Sequence, residues 1–287
     1  MSLSQLFQKK QVISFELFPP KTPAGEKSLY RNIGKLIKFC PDFVTCTYGA
    51  GGSTQGKTLE ILEHVKQEFD IPVASHLTLV GSTVDDLRSY LNQARRQSVD
   101  YIVALRGDPP QGETEFRQTV GGFRNANELV ELINAEFDDL GVLVAGYPEK
   151  HREAPSLEID LENLKRKVDA GADVVVTQLF FDNEDFFRFR DLCGKIGIDV
   201  PIVPGMLPVT SLKQIKRITT LCGAKLPEKF LQDLEDSPDE AKQFEIGVRH
   251  SIAQTQELIE DGVAGLHFYI LNRSAATSRI LEEIELN

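Results

Sequence analysis

Cysteine is scarce in this chain. Four (Cys40, Cys46, Cys193, Cys222) are spread over 287 residues, with no C-x-x-C pair among them. A chain this long can build a large core without cross-links, so structural disulfides are not expected. The five histidines (His64, His76, His151, His250, His267) show no H-E-x-x-H or related spacing, so no resident metal is expected. No G-x-S-x-G elbow is present, which disfavours a serine nucleophile of that kind. No apolar run approaches the ~18 residues of a membrane span. The first ten residues lack an apolar core and a small-residue cleavage site, so no secretory signal is visible. Positive charge is in deficit, with 32 Lys+Arg against 43 Asp+Glu and a net charge of −11. A general nucleic-acid binder needs clustered Lys and Arg and is disfavoured. The simplest reading is a reduced, cytoplasmic protein with neither membrane nor nucleic acid as partner.

A linker is missing too. No Ser/Gly/Pro-rich tract or charge block divides the chain. Instead, short apolar runs alternate with longer amphipathic ones. Strands are expected at Val12–Leu17, Phe43–Thr47, Val73–Leu77, Tyr101–Leu105, Val142–Ala145, Val174–Gln178, Val200–Val203 and Leu266–Ile270. Between them lie helical patterns such as Leu157, Leu161, Leu164 and Val168, starting at Pro155-Ser156 and ending at Gly171. Alternating strands and helices imply a parallel sheet. Eight units over 287 residues average about 36 residues each, near the spacing of a (β/α)8 barrel. The expected fold is therefore α/β, a (β/α)8 TIM barrel forming a single domain over residues 1–287. The last interval is long. Leu226 to Glu260 holds two helical segments broken at Ser237-Pro238, which predicts a helical insertion before strand eight. A doubly wound open sheet is the alternative, but no G-x-G-x-x-G follows the first strand.

In such a barrel the active site lies at the C-terminal ends of the strands. Alternation along strand one sends Val12, Ser14 and Glu16 inward and Ile13, Phe15 and Leu17 toward the helices. A carboxylate inside the mouth is costly to desolvate, so the Glu16 pKa should rise or the group must be paired. The other strand ends are polar as well: Thr47-Tyr48 with the Gly-rich run 49–52, then His76, Arg106-Gly107-Asp108, Tyr147 with His151, Thr177-Gln178, and Tyr269 with Arg273. Several have a plain alternative. Glu16 fits a structural ion pair, His76 a hydrogen-bonded core histidine, the glycine run a flexible turn, and Arg106 with Asp108 a loop-capping salt bridge. The stripe Asp160, Asn163, Lys167 would ordinarily be a solvated helix face. The set taken together looks like a substrate and cofactor site.

Nine segments in order resemble one family. They are Ser14-Phe-Glu-Leu-Phe-Pro-Pro20, Thr45-Cys-Thr-Tyr-Gly-Ala50, Ser75-His-Leu-Thr78, Ala104-Leu-Arg-Gly-Asp-Pro109, Gly146-Tyr-Pro-Glu149, Leu164-Lys-Arg-Lys-Val-Asp-Ala-Gly-Ala172, Gln178-Leu-Phe-Phe-Asp182, Pro204-Gly-Met-Leu-Pro208 and Phe268-Tyr-Ile-Leu-Asn-Arg273. Together they resemble methylenetetrahydrofolate reductase from about residue 12 to residue 275. The resemblance implies a barrel that uses FAD. It implies reduction of 5,10-methylenetetrahydrofolate to 5-methyltetrahydrofolate with electrons from NAD(P)H, passed through reduced flavin in a ping-pong sequence. That chemistry belongs to one-carbon metabolism and methionine biosynthesis.

By position, Glu16 is similar to the family's general acid, which protonates N10 so that an N5 iminium can accept hydride. Asp108 is similar to the carboxylate that holds the pterin and modulates the flavin. Thr47, Tyr48, His76, Arg106, Gly107, Asp108, Tyr147, His151, Asp160, Asn163, Arg166 and Lys167 match FAD-binding positions. Glu16, Asp108, Gln178, Gln214, Ile218, Tyr269 and Arg273 match folate-binding ones. Ala172 falls where the family packs the barrel beneath the cofactor. Ile218 departs from those members that carry a substrate-contacting aromatic there. Larger members add a regulatory domain that binds S-adenosylmethionine, for which this chain has no room, so no such feedback is expected. The resemblance also implies a homo-oligomer. A flavin-free pterin transferase, a Schiff-base aldolase and a catalytically silent barrel are the competing readings. The FAD set opposes the first, Gln178 in place of a strand-end lysine opposes the second, and Glu16 with Asp108 opposes the third.

Overall fold

The structure is a computed structural model that describes residues 3–47, 55–109, 112 and 115–284. After a short first helix α1 (Leu3–Lys9), strands and helices alternate: β1 (Val12–Leu17), α2 (Pro23–Leu36), β2 (Phe43–Cys46), α3 (Gln55–Phe69), β3 (Val73–Thr78), α4 (Val84–Arg96), β4 (Tyr101–Leu105), α5 (Ala126–Glu136), β5 (Gly141–Gly146), α6 (Leu157–Asp169), β6 (Val174–Thr177) and α7 (Asn183–Lys195). Then come two short strands, β7 (Ile202–Val203) and β8 (Gly205–Met206), three helices, α8 (Leu212–Cys222), α9 (Glu228–Glu235) and α10 (Glu240–Glu260), and finally β9 (Gly265–Tyr269) and α11 (Ala275–Glu283). All pairings among the described strands are parallel, in the order β7-β6-β5-β4-β3-β2-β1-β9-β8.

The expected TIM-like barrel is present, and its seam explains the one strand that differs from expectation. The run Val200–Val203 was expected as a single strand. Pro201 delays its start to Ile202, and the strand continues past its expected end to Met206, interrupted at Pro204. Proline has no N–H to give to a ladder. β7 pairs with β6, β8 pairs with β9, and Pro204 lies between them. The gap is bridged locally: the Gly205 N–H donates to Thr177 Oγ1 at 2.9 Å, and the His267 N–H donates to the Pro204 carbonyl at 3.1 Å. The ring of strands is thereby nearly closed.

Two apolar layers follow from strand alternation. Ile13, Phe15 and Leu17 join Leu29, Ile33 and Leu36 of α2 between sheet and helices. Val12, Phe43, Tyr101, Val103, Leu143, Val174 and Val203 fill the lower barrel. Leu3 and Phe7 of α1 complete that inner cluster and cover the barrel floor. Glycines make the room: a Cβ on Gly141 would sit 2.9 Å from Leu3 Cβ, and one on Gly265 would sit 3.1 Å from the Phe7 ring. Helix starts are fixed by side-chain caps at Thr22, Thr83, Ser156, Asp182, Ser211 and Asp239. α6 runs from Ser156 to its C-cap at Ala170, and Gly171 follows at φ +104°, as its sequence predicts.

The helical insertion before the last strand comprises α8–α10, with the expected break near Ser237-Pro238 between α9 and α10. α10 packs against α7 and α11, in the seventh place of the helix ring. α8 and α9 form their own small core over the mouth, where Ile215, Phe230 and Leu234 meet Leu179, Phe181, Leu207 and Val209. Gly247 lets α10 approach the backbone there, since a Cβ would overlap the Val209 carbonyl. Gly247→Ala should therefore destabilise the protein by about 1–3 kcal/mol in urea unfolding. Gly194, in α7 with nothing within 4 Å of an added Cβ, is the control. Gly194→Ala should be neutral or stabilise by up to about 1 kcal/mol.

Candidate active site

The inner layer turns polar toward the C-terminal ends of β1, β2, β3 and β9. Register sets Ser14 beside His267, and Glu16 between Thr45 and Tyr269. The Glu16 carboxylate is 7% exposed and faces two imidazoles. His76 Nε2 of β3 lies 3.3 Å from Glu16 Oε2, and His267 Nε2 of β9 lies 3.8 Å from the same oxygen. On its other side, His267 Nδ1 shares a 2.8 Å hydrogen bond with Ser14 Oγ. The result is a buried chain, Ser14–His267–Glu16–His76. Beside it, Thr45 Oγ1 is buried without a hydrogen-bond partner.

Burial pushes the Glu16 pKa upward, as the sequence suggests, but it does not prevail. The contacts with His267 and His76 outweigh it and hold the carboxyl at about 2. Pairing, the second of the two outcomes open to a buried carboxylate, is what occurs. Burial alone would tune this acid upward; two imidazoles more than offset the desolvation.

Tyr269 crosses the mouth next to this chain. Its hydroxyl donates to the Thr177 carbonyl at 2.6 Å, and its ring packs edge-on to His267 at 5.2 Å. Gly205 has to be glycine for this, since a Cβ there would come 2.7 Å from the Tyr269 ring. Burial, followed by the charge of Glu16, raises the Tyr269 hydroxyl far above its ordinary value, so it stays a neutral donor. Tyr269, Gln214 and Arg273 line one cavity of about 360 Å³ with Pro208, Thr210 and Phe244. Arg273 is exposed at its rim. The Gln214 side-chain oxygen accepts from the Thr210 N–H and hydroxyl, both at 2.8 Å. Ile218, on the same helix, packs in the core of the insertion. Gln178 is half-buried after β6, where its side-chain oxygen accepts from the Leu179 N–H at 2.9 Å.

A second group gathers at the ends of β4 and β5. Arg106 pairs with Glu153 through two nitrogens at 2.8 and 2.9 Å and lies over the Phe116 ring. Gly107 adopts φ +89° and presses against Thr78 and Val80, so no other residue fits there without strain. Asp108 is exposed beside them. Tyr147 and His151 meet edge to face at 4.6 Å. Burial lowers the His151 pKa; burial and then the charges of Asp160 and Asp108 raise that of Tyr147.

The α6 stripe is not a uniformly solvated face. Asp160 is buried and accepts from the His151 N–H at 2.8 Å. The Lys167 ammonium reaches inward to the Ala145 carbonyl at 2.5 Å, and burial pulls its pKa down to about 8 against the opposing pull of Asp160. Asn163 and Arg166, by contrast, are exposed and touch each other at 3.3 Å. Thr47 is half-buried at the end of β2, and Ala172 is buried in the outer core. Tyr48 and the Gly-rich run lie outside the described residues. Among the described residues, no three His, Cys, Asp or Glu side chains converge to hold a metal ion, and no helix is long and apolar enough to cross a membrane.

His267 is the member of this site that motif reading passes over. Its spacing from the other histidines fits no metal-ligand pattern. Strand parity is the signal that finds it, because it shares the inward face with Tyr269 two residues on.

A family model described as methylenetetrahydrofolate reductase matches residues 2–285. The chain belongs to the methylenetetrahydrofolate reductase family. The 5,10-methylenetetrahydrofolate reductase of Escherichia coli is 39% identical over 263 residues, covering 91% of this chain and 86% of that protein. The methylenetetrahydrofolate reductase (NADH) 1 of Arabidopsis thaliana is 36% identical over 97% of this chain. There the chain spans about half the length of its relative, 49%. In structure, a Clostridium thermocellum protein described as binding two copies of 5-methyl-5,6,7,8-tetrahydrofolic acid aligns with TM-score 0.62 over 98% of this chain and 96% of that one. At 16% identity this likeness shows a common fold.

The reductase-family barrel thus keeps a carboxylate ionised deep in its mouth, with a consequence for acid stability. The folded Glu16 pKa of about 2 lies below the ordinary value of 4.5, so the pairing stabilises the protein above pH 4.5. That stabilisation fades as pH falls toward 2, with an upper bound of about 3 kcal/mol. Urea unfolding at pH 5 and at pH 3 should show a steeper loss for the wild type than for Glu16→Gln. Parallel losses would contradict the pairing.

Proposed function

We propose that the protein reduces 5,10-methylenetetrahydrofolate to 5-methyltetrahydrofolate with FAD and NAD(P)H, in a ping-pong sequence. The observation that carries this reading is the Glu16 carboxylate clasped by His76 and His267 at the base of a mouth whose family is a folate reductase. The donor set suits an anionic, aromatic cofactor. Arg106 and Lys167 offer cationic nitrogens, Arg166 adds a third at the rim, and Tyr147 with His151 supplies an aromatic wall. Thr47, Tyr48, Gly107, Asp160 and Asn163 complete the proposed cofactor wall. When bound, FAD supplies the hydride chemistry.

The chain's own residues supply the rest. Glu16 delivers a proton to N10 of the folate. His76 and His267 stand beside its carboxylate, and Ser14 completes the hydrogen-bonded chain behind His267. Tyr269 stays protonated with its O–H given to the Thr177 carbonyl, so its ring is fixed as a wall of the folate cavity, while Gln178, Gln214 and Arg273 orient the folate, Arg273 from the rim. Asp108, exposed beside the Tyr147–His151 pair, holds the pterin and disfavours negative charge on the reduced flavin ring. Methylenetetrahydrofolate and NAD(P)H are the proposed small-molecule substrates, the cytoplasm the proposed compartment, and self-association the proposed state.

Purified protein should be yellow or take up FAD. Glu16→Gln should leave reduction of the flavin by the nicotinamide largely intact in anaerobic stopped flow, while slowing folate reduction by about 10²–10⁴-fold. Equal loss in both half-reactions would refute the role of Glu16. Asp108→Asn should weaken folate reduction and shift the flavin potential; an unchanged potential would remove its electrostatic part.

A further inference from the structure

We propose that Arg152 and Glu149 are positioning residues that clamp helix α8 across the barrel mouth and so orient Gln214 for the folate. The clamp rests on the folate reading above, but its residues lie outside that site. Along its length α8 is held by the small core it shares with α9 and by an ion pair from Lys216 to Glu235 at 2.6 Å. Ile215 is the one residue it buries fully, and its last turn carries no basic side chain. Its N-terminal end is tied by Ser211, which caps it, and by Gln243, whose side-chain oxygen accepts from the Leu212 N–H at 2.9 Å.

The other end is tied from across the mouth. Arg152 Nη1 donates to the Leu221 carbonyl at 2.7 Å and to the Thr220 carbonyl at 3.3 Å. A guanidinium at these carbonyls satisfies groups the helix leaves open and complements its dipole. The Lys225 N–H, just beyond the helix, donates to both oxygens of Glu149 at 3.1 Å. Gly223 ends α8 at φ +81°, and a Cβ there would come 3.3 Å from Arg152 Cγ, so the arginine stem lies on the turn itself.

Both clamp residues come from the segment between β5 and α6. The same segment carries Tyr147 and His151 on the proposed cofactor side. One loop thus fixes both walls of the mouth. With the N-terminal end of α8 pinned and its middle tied to α9, loss of Arg152 lets the C-terminal end tilt about that pin. Gln214 lies near the pin with its side-chain oxygen held by Thr210, so the tilt turns the rest of its amide relative to Tyr269 and Arg273, which share its cavity. Misplacement of this kind weakens substrate binding before it touches the chemistry.

The test uses the full-length, FAD-loaded protein with Arg152→Ala and Arg152→Lys. For Arg152→Ala, KM for methylenetetrahydrofolate should rise roughly tenfold with kcat changed by less than about twofold. Titration with 5-methyltetrahydrofolate, followed by flavin absorbance, should show the same weakening, while FAD affinity stays as in the wild type. Arg152→Lys should recover part of the loss. Unchanged folate binding in Arg152→Ala, with a lower melting temperature alone, would reduce Arg152 to a stabilising contact and overturn the proposal. So would a parallel loss of FAD affinity, which marks general loosening. A wild type that binds no folate brings down the reading of the site, and the clamp with it. A wild type that binds folate no better than Arg152→Ala brings down the clamp alone.

Discussion

The site depends on how the parallel sheet closes on itself. Eight strand positions can be laid side by side in several ways, but a closed ring fixes which pleat faces inward at every one. Closure here passes through Pro204, where a ladder N–H is missing, and the next N–H, that of Gly205, donates to Thr177 Oγ1. On the far side of that seam, β9 pairs with β1 so that Ser14 meets His267 and Glu16 meets Tyr269. A slip of one residue would turn His267 and Tyr269 into the helix layer and leave Glu16 without one of its two imidazoles. The electrostatics of the mouth are thus set by backbone register.

The energetics divide the barrel along its axis. The lower half is an apolar core of ordinary kind, where Val12, Phe43, Tyr101 and their neighbours give up water at a gain. The upper half buries a carboxylate, two imidazoles, hydroxyls and a lysine, each at a cost that only mutual pairing offsets. Glu16 and Lys167 show the two outcomes of that contest. The imidazoles overcome burial at Glu16 and pull its pKa down, whereas burial overcomes Asp160 at Lys167 and lowers the lysine to about 8.

Much of this was readable from sequence, and the unread parts share a cause. The alternation Val12-Ile-Ser-Phe-Glu-Leu17 carried the correct inward face, and the Leu157–Val168 spacing with Gly171 gave α6 with its end. The insertion was marked by the break at Ser237-Pro238. Local signals sufficed for each. The split seventh strand was not readable, because two-residue pieces carry no period. The sign of the Glu16 shift was not readable either: burial is local, but the imidazoles that reverse it come from β3 and β9, brought in by closure alone. The same holds for the Arg106–Glu153 pair and for the tie between Arg152 and α8. Ile218 is placed by the insertion's own small core.

The floor of the barrel has a further meaning. Leu3 and Phe7 seat a helix under the strands, and Gly141 and Gly265 make room for it. Among the described residues, the interior is closed from below. A molecule bound at Glu16 is therefore met from the strand ends, and the cavity between α8 and β9 frames one side of that approach.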